Sequence, residues 1–294
     1  MEIIFLNRST FIPTLRCATY GANRISCLRH DSRVPAARYP LIPAQAQRSV
    51  GFKKSNTMNT LYNKILSKQN PSQVEGLSRF FKTAPGGYGY GDKFLGIKVP
   101  TIREAVKECW SETSFDDLKE CVSSEYHEMR MAGLLTLVQI FKHAKKDVKL
   151  QQKCIGFYLA NTQYINNWDL VDLSCYELLG TWLLDKDRTL LYNLARDGKT
   201  IWEQRIGMVS TMQFIRHGQL DDTFNIAEIF LAKPQPLHDL LQKAVGWLLR
   251  EAGKRDEKRL KDWLSIRYKT MPRTMLRYAI EKFPENERKF YLKK

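Results

Sequence analysis

The sequence predicts an all-α protein built from stacked helix pairs. From Met58 onward, apolar residues recur three and four positions apart, which is the spacing of amphipathic helices; Leu134, Leu137 and Phe141 are one such set. No alternating strand pattern appears, and glycine, proline and asparagine fall between the helical runs. Related helical segments also repeat along the chain. These three observations favour helices packed on helices over any fold that contains a sheet.

Four of the helical segments resemble one another when they are aligned. They begin at Glu128, Trp168, Glu203 and Leu241, so their starts lie 40, 35 and 38 residues apart. A period of about 40 residues with paired helices is typical of HEAT and armadillo repeats, in which each pair buries its apolar face against the next. We therefore predict a HEAT/armadillo-like helical-repeat solenoid whose repeated helices line a concave groove.

Further helices are predicted on either side of these four. The upstream ones cover residues 72–82, 101–110 and 114–122, and those that complete the pairs cover residues 146–160, 188–197, 221–231 and 256–268. Serine, threonine and aspartate side chains accept hydrogen bonds from the free N–H groups of a first helical turn. We therefore expect N-caps at Ser72, Thr101, Ser114 and Asp221.

A glycine-rich segment, APGGYGYGD at residues 84–92, separates the first two predicted helices downstream of residue 72. It lacks the Gly-Lys-Ser/Thr ending of a phosphate-binding loop, and no strand precedes it, so neither common nucleotide motif is met. We expect a flexible connector here, with backbone contact to DNA phosphate as the alternative.

The chain is strongly basic, with 47 Lys+Arg against 31 Asp+Glu and a net charge of +16. Clustered Lys and Arg favour a polyanionic partner, because they release counterions from nucleic acid. Charge alone does not distinguish DNA, RNA and acidic lipid. No run approaches the length of a membrane span, and six scattered cysteines without a CxxC pair predict reduced thiols, neither a disulfide framework nor a zinc site.

Residues 1–57 form a basic leader. They contain nine Lys/Arg and two acids and so carry +7 of the total, which leaves +9 for the other 237 residues. Three interpretations fit: an organellar transit peptide, a disordered nucleic-acid-binding arm, or sequence upstream of a true start at Met58. The regular helical sequence that begins at Met58 favours the last. We therefore predict a leader over residues 1–57 and one helical domain over residues 58–294.

Candidate functional side chains fall on three of the repeated helices. Trp168 and Asp172 are four residues apart and share one helix face, whereas Asp169 points elsewhere and is expected to brace the helix start. Tryptophan in a helical stripe is more commonly a core residue. Asp172 is an acid among apolar neighbours, a pattern that a salt bridge to Arg205 and a functional carboxylate explain equally well.

Basic residues extend this cluster. Arg130 lies on the first repeated helix, and Lys243 and Arg250 flank Trp247 on the last. We expect these three to bind DNA together with Arg205. Arg130, Arg216 and Lys243 are expected to extend a basic rim, although a solvated helix face also accounts for each of these.

Four segments resemble the AlkD-type DNA alkylation repair family of HEAT-like DNA glycosylases. They occur in the family's order between about Met58 and the C-terminus: FLGIKVPTIR (Phe94–Arg103), INNWDLVD (Ile165–Asp172), IWEQRIGM (Ile201–Met208) and QKAVGWLLREAGK (Gln242–Lys254). The resemblance implies that Trp168 and Trp247 are the catalytic-site tryptophans, that Asp172 is the catalytic carboxylate, and that Arg205 contacts DNA. Arg250 also matches a family arginine, whereas Asn167 stands where some members have a further tryptophan.

The same resemblance implies a monofunctional glycosylase acting in base excision repair. It would hydrolyse the N-glycosidic bond of positively charged purines such as 3-methyladenine and 7-methylguanine and leave an abasic site, with no cofactor and no metal. We expect alkylated double-stranded DNA as the partner, no membrane, and a monomer in the cytoplasm on nucleoid DNA, or in an organelle if residues 1–57 target it there.

Two other functions compete with this one. A HEAT-like scaffold would bind DNA or protein without chemistry, since this fold serves many binding functions. The presence of Asp172 together with both tryptophans argues against it. An RNA-binding repeat protein is less well supported, because no regular pair of base-reading residues recurs in each repeat.

Overall fold

The computed structural model describes residues 59–293, and every regular element in that range is helical. Lys93 and Tyr126 form an isolated backbone bridge, the one pairing of β type among the described residues. The all-α class and the helical-repeat arrangement are confirmed. The predictions for residues 1–57 lie outside the described part of the chain. No helix in the described range is long and apolar enough to cross a membrane.

The helices follow one another with short connections. The first eight are α1 (Thr60–Leu66), α2 (Pro71–Phe80), α3 (Val99–Cys109), α4 (Phe115–Val122), α5 (His127–His143), α6 (Val148–Ala160), α7 (Trp168–Cys175) and α8 (Thr189–Asp197). The others are α9 (Ile201–Val209), α10 (Met212–Arg216), α11 (Asp221–Leu231), α12 (Asp239–Gly253), α13 (Glu257–Ser265), α14 (Arg273–Ala279) and α15 (Glu285–Leu292). A π-helical turn, Tyr176–Gly180, continues α7.

Six helices form a row in which each contacts the next, in the order α3, α5, α7, α9, α12 and α14. We call them the main row. Other helices pack against it: α4 against α5, α8 against α9, and both α11 and α13 against α12. The four repeated segments predicted from the sequence are α5, α7, α9 and α12. The repeat therefore places Trp168, Asp172, Arg205 and Trp247 on three consecutive helices of the main row.

A continuous apolar core joins the helices. Tyr158, Phe141, Phe214 and Phe230 are among its largest fully buried side chains. Burying a large apolar side chain contributes about 1.5–3 kcal/mol, so neighbouring helix pairs stabilise one another, as expected for a repeat. Gly180 allows especially close packing, because a Cβ at this position would lie 2.5 Å from the Ser210 carbonyl oxygen. The end of the π-helical turn thus rests directly against the end of α9.

One of the four predicted N-caps is correct. Ser114 caps α4 in a capping box, where its hydroxyl accepts the N–H of Asp117 at 3.2 Å and the Asp117 carboxylate accepts the N–H of Ser114 at 2.9 Å. The predictions at Ser72, Thr101 and Asp221 were wrong, since α2, α3 and α11 begin earlier, with N-caps at Asn70, Lys98 and Leu220. For α2 and α3 the cause is a proline in the first turn. Proline lacks a backbone N–H, and a first-turn residue does not need one for a hydrogen bond within the helix.

The third repeated segment is interrupted, although the sequence predicts one continuous helix. It divides into α9 and α10 at Ser210 and Thr211. The Ser210 hydroxyl donates to the Ile206 carbonyl at 2.7 Å, and the Thr211 hydroxyl donates to the Met208 carbonyl at 2.8 Å. Such bonds compete with the backbone ladder and often bend or end a helix.

Candidate active site

Asp172 on α7 and Arg205 on α9 form a bidentate ion pair. The Arg205 Nε donates to Oδ1 of Asp172 at 2.8 Å, and Nη2 donates to Oδ2 at 2.7 Å. The remaining nitrogen, Nη1, donates to the Leu240 carbonyl at the start of α12, at 2.5 Å. The planar guanidinium therefore fixes the orientation of the carboxylate and connects three neighbouring helices of the main row.

The carboxylate of this pair is more accessible than the guanidinium. The Asp172 side chain is 16% exposed and that of Arg205 is 6% exposed. Burial raises the pKa of Asp172 above its ordinary value, and the nearby Asp169 raises it further, while Arg205 acts in the opposite direction. Each carboxylate oxygen accepts one N–H from Arg205 and keeps lone pairs for another donor. The site thus offers an oriented carboxylate whose ionised form is favoured by Arg205.

Trp168 begins α7, one turn before Asp172. Its Nε1 donates to the Tyr88 hydroxyl at 3.2 Å. Its ring lies beside those of Phe80 and Phe81, with centroid separations of 6.1 and 5.7 Å. Trp168 is partly buried and Phe80 is exposed. An aromatic surface that reaches solvent therefore adjoins the carboxylate.

The glycine-rich segment, residues 84–92, contributes to this surface at Tyr88 and Gly89, whereas its other residues up to 91 are largely exposed. That the segment is a flexible connector stays a prediction. Tyr88 from this segment bonds to Trp168. Gly89 lies against the end of α2, where a Cβ would be 2.4 Å from the Phe81 carbonyl oxygen. A side chain at this position would push the segment away. Gly87 and Gly89 therefore allow close packing, whereas Gly86 and Gly91 have open space around them and adopt a φ of +82°.

Asn167, which departs from the resemblance, is fully buried before α7. Its side-chain oxygen accepts the N–H of Trp168 at 2.8 Å, as an N-cap. Its side-chain nitrogen has no hydrogen-bond partner and lies 3.6 Å from the position that a Cβ on Gly89 would take. Asn167 therefore supports the start of α7 from beneath the glycine-rich segment and does not extend the aromatic surface.

Trp247 lies on α12, seven residues after Leu240 and therefore on the same side of that helix. It is partly buried and packs against the core. No ring contact joins it to Trp168 within the described residues. The structure thus joins Asp172 and Arg205 directly, places Trp168 one turn before Asp172 on α7, and places Trp247 on the helix to which Arg205 is bonded.

Two of the arginines expected to bind DNA are buried. Arg130 is 3% exposed and donates to Asp92 and to the carbonyls of Ser124 and Glu125. It lies in the interior and not on the predicted exposed rim. Arg205 is likewise bonded inward. The physical reason is shared, since buried carboxylates and carbonyls require hydrogen-bond donors.

The other two basic candidates differ in how accessible they are. Arg250 is partly buried and paired with Glu251 and Glu281. The Lys243 side chain is 37% exposed and is paired with Asp239 on its own helix at 2.7 Å. Surface pairs of this kind contribute little stability and exchange readily for other partners. Lys243 is therefore the best placed of the four predicted cations to meet a ligand.

The sequence did not reveal a buried ionic cluster beneath the site. The His127 ring lies between two carboxylates, with Nδ1 3.0 Å from Oδ2 of Asp92 and Nε2 2.8 Å from Oδ2 of Asp169. Asp169 also accepts the N–H of Leu170 at 2.8 Å, so it does brace the start of α7. The partners of His127 are 35 and 42 residues away, and no local pattern signals such pairs. The only signal of this cluster in the sequence is the histidine at the start of a repeated helix.

Comparison with known proteins adds independent information. A family model described as "DNA alkylation repair enzyme" matches residues 62–283, about three quarters of the chain. The matched range contains the ion pair, both tryptophans and the glycine-rich segment. A search of curated proteins finds no match. Within residues 59–293, no group of three or more His, Cys, Asp or Glu side chains is placed to hold a metal ion.

Proposed function

This chain belongs to the DNA alkylation repair enzyme family, and from that premise we propose that it is a DNA glycosylase. Membership gives it a role in DNA alkylation repair, with DNA as its substrate. The specific reaction that we propose is hydrolysis of the N-glycosidic bond of purines alkylated at ring nitrogen 3 or 7 in duplex DNA. The products are the free base and an abasic site. The observation that carries the proposal is the oriented, partly exposed carboxylate of Asp172 beside an aromatic surface.

The chemistry of these lesions suits a site without a general acid. A purine alkylated at nitrogen 3 or 7 carries a formal positive charge and departs as a neutral molecule when the bond from C1′ breaks with its electron pair. Ordinary glycosides need a carboxylic acid to protonate the leaving oxygen, but this reaction does not. It needs stabilisation of the sugar cation and one positioned water. Water adds to C1′ and releases one proton, so atoms and charge balance.

Asp172 supplies the group that this reaction requires. A carboxylate about 4 Å from a developing cation gains roughly 4 kcal/mol at an effective dielectric constant of 20. Burial raises the pKa of Asp172, and the positive charge of Arg205 in the bidentate pair opposes that rise and favours the ionised carboxylate. The free lone pairs of Asp172 accept the hydrogen of the attacking water. We therefore assign Asp172 as the catalytic carboxylate.

Arg205 acts through Asp172 in this proposal. Three of its nitrogens already bond to Asp172 and Leu240, and its side chain is buried. We therefore propose that it is a positioning residue in place of the DNA contact that the resemblance implies.

The two tryptophans are proposed to hold the charged nucleotide. The face of an aromatic ring attracts a cation by about 0.5–2 kcal/mol, depending on how well the pair is desolvated. Trp168 is supported from below by Phe81 and tethered through Tyr88, so its position is defined before DNA binds. Trp247 would approach from α12. Selectivity then depends on the charge of the lesion more than on the shape of a closed pocket.

The proposal is tested by incubating purified protein with duplex DNA that contains 7-methylguanine or 3-methyladenine, and with the same duplex unmodified. We expect the free methylated base and an abasic site from the alkylated duplexes alone. Absence of base release from either lesion, with salt-sensitive DNA binding intact, would contradict the proposal and support the scaffold. Equal release of unmodified purines would contradict the charge-based selectivity.

A further inference from the structure

His127 is held by two acids in the protein interior. Its side chain is 1% exposed, and its two ring nitrogens lie within hydrogen-bonding distance of Asp92 and Asp169. Ionised carboxylates only accept hydrogen bonds, so a ring that bonds to both must donate from both nitrogens. With both carboxylates ionised, this geometry corresponds to an imidazolium.

The charged and aromatic groups around the His127 ring come from several elements of the fold. Asp92 ends the glycine-rich segment and is also bonded to Arg130 of α5, whereas Asp169 belongs to the first turn of α7. The rings of Phe81 and Phe94 cover the imidazole, with centroids 4.8 and 4.9 Å away. Burial alone would lower the pKa of His127, but the two carboxylates outweigh it and raise the pKa to about 9.

The start of α5 also forms hydrogen bonds with the chain that follows the glycine-rich segment. The N–H of His127 donates to the Lys93 carbonyl at 2.8 Å. The buried Glu128 carboxylate accepts the N–H groups of Leu95, Gly96 and Ile97 at 2.9, 2.9 and 3.1 Å. These bonds fix the segment from residue 92 to residue 97 on α5. Of the α5 residues that make these bonds, His127 also forms a hydrogen bond with α7.

Both partners of His127 are adjacent to the proposed site. Asp169 follows Trp168 directly and precedes Asp172 by three residues. Asp92 ends the segment whose Tyr88 accepts the indole N–H of Trp168. The imidazolium thus joins the two elements that hold Trp168. It also neutralises Asp169, whose negative charge raises the pKa of Asp172.

We propose that His127 is a positioning residue for base excision: by bridging Asp92 and Asp169 it fixes Trp168 against the glycine-rich segment and keeps Asp172 oriented and ionised. The proposal rests on the proposed glycosylase function.

The test compares His127→Gln with His143→Gln. His143 lies at the other end of α5 and is exposed. It contacts the Gln139 carbonyl and stacks on the Trp110 ring, neither of which belongs to the proposed site, so it is a matched control. Base release from a 7-methylguanine duplex is measured under single turnover, at a temperature where both variants are folded. We expect His127→Gln to lose roughly 10- to 100-fold in rate, as when a reacting group is displaced, while DNA affinity is retained. We expect wild-type rates from His143→Gln.

The pH profile separates positioning from a merely structural role. Without the imidazolium, the charge of Asp169 is uncompensated, so the pKa of Asp172 rises and the acid limb of the rate profile moves to higher pH. In the wild type, the imidazolium interactions are fully present below the usual histidine pKa and are lost as pH rises through about 9. The thermal midpoint should fall over that range in the wild type and His143→Gln, and much less in His127→Gln. If His127→Gln does not fold, Asp92→Asn is used, and it should give the same changes in smaller degree.

An observable that does not depend on activity is the indole N–H resonance of Trp168, identified by its loss in Trp168→Phe. It should shift in His127→Gln and stay in place in His143→Gln. If the wild-type protein releases no base, the glycosylase function is contradicted. The indole N–H resonance would still show whether His127 positions Trp168. An active His127→Gln with wild-type rate, pH profile and indole resonance would overturn the positioning role and leave the glycosylase function standing.

Discussion

At the scale of single residues, the ionisation of the Asp172 carboxylate depends on the groups that surround it. Burial makes ionisation of Asp172 costly, and Arg205 offsets this through two charge-assisted hydrogen bonds. The sequence suggested both a salt bridge and a functional carboxylate for Asp172. The ion pair is present in the structure, and in the proposed mechanism it is the means by which the carboxylate works. The two interpretations are therefore compatible.

Arg205→Gln tests this dependence. Removing the cation raises the pKa of Asp172 further, so the carboxylate ionises only at higher pH. We expect the acid limb of the base-release profile to move upward in pH. Leaving a largely buried carboxylate unpaired should also cost on the order of 3 kcal/mol of stability at neutral pH, and less in acid, where Asp172 takes up a proton.

The matched control is Arg188→Gln. Arg188 forms a comparably buried ion pair with Asp222 at 2.5 Å, between the start of α8 and α11. It should lower stability by a similar amount without moving the acid limb. If both variants left the pH profile unchanged, Arg205 would not control the ionisation of Asp172.

At the scale of elements, local sequence predicted the helices better than it predicted their connections. Apolar periodicity located α5, α7, α9 and α12, and the N-cap at Ser114 was predicted correctly. The break after α9 was missed although its cause is local, since the Ser210 and Thr211 hydroxyls bond to carbonyls four and three residues earlier. The contacts of the glycine-rich segment were missed because they join residues that are distant in sequence. Tyr88, for example, is 80 residues from Trp168.

Gly89→Ala tests whether the glycine-rich segment must pack closely. The added Cβ would meet the Phe81 carbonyl oxygen at 2.4 Å, so the segment has to shift and take Tyr88 with it. Such overpacking typically costs about 1–3 kcal/mol. We expect a lower free energy of unfolding in chemical denaturation and slower base release.

Gly76→Ala is the matched substitution, since nothing lies within 4 Å of a Cβ at that position. It lies within α2, where alanine is favoured over glycine by roughly 0.5–1 kcal/mol. This variant should be at least as stable as the wild type and fully active. Equal stability of Gly89→Ala and Gly76→Ala would show that close packing of the segment is not required.

At the scale of the whole molecule, the positive charge lies at one end of the helical domain. Residues 59–253 contain 24 Lys/Arg and 23 Asp/Glu, whereas residues 254–293 contain 13 and 6. The described part of the chain therefore carries +1 before residue 254 and +7 from residue 254 onward. Of the helices in the basic part, α14 belongs to the main row and contacts α12, and its Arg273 and Arg277 are exposed and four residues apart. We expect the DNA backbone to be held there, beyond the site, with counterion release supplying most of the affinity.

The sequence was sufficient for the fold class, because apolar periodicity and the helical repeat can be read from it directly, and it placed Trp168, Asp172, Arg205 and Trp247 on the repeated helices. It suggested the Asp172–Arg205 salt bridge as one of two interpretations, and that pair is present in the structure. It was insufficient for the other partners: Arg130 looks like a surface cation in the sequence, and only the packing shows that it is bonded to Asp92 inside the protein.

The central claim is that the carboxylate of Asp172 performs the reaction while other residues bind the DNA. Its most direct test is single-turnover release of 7-methylguanine from a defined duplex by Asp172→Asn, compared with the exposed control Asp185→Asn. Asparagine keeps an acceptor for Arg205 but has no negative charge. We predict a loss of about 100-fold or more in the rate for Asp172→Asn, with DNA affinity unchanged or higher, and wild-type values for Asp185→Asn. Wild-type base release by Asp172→Asn would contradict the account.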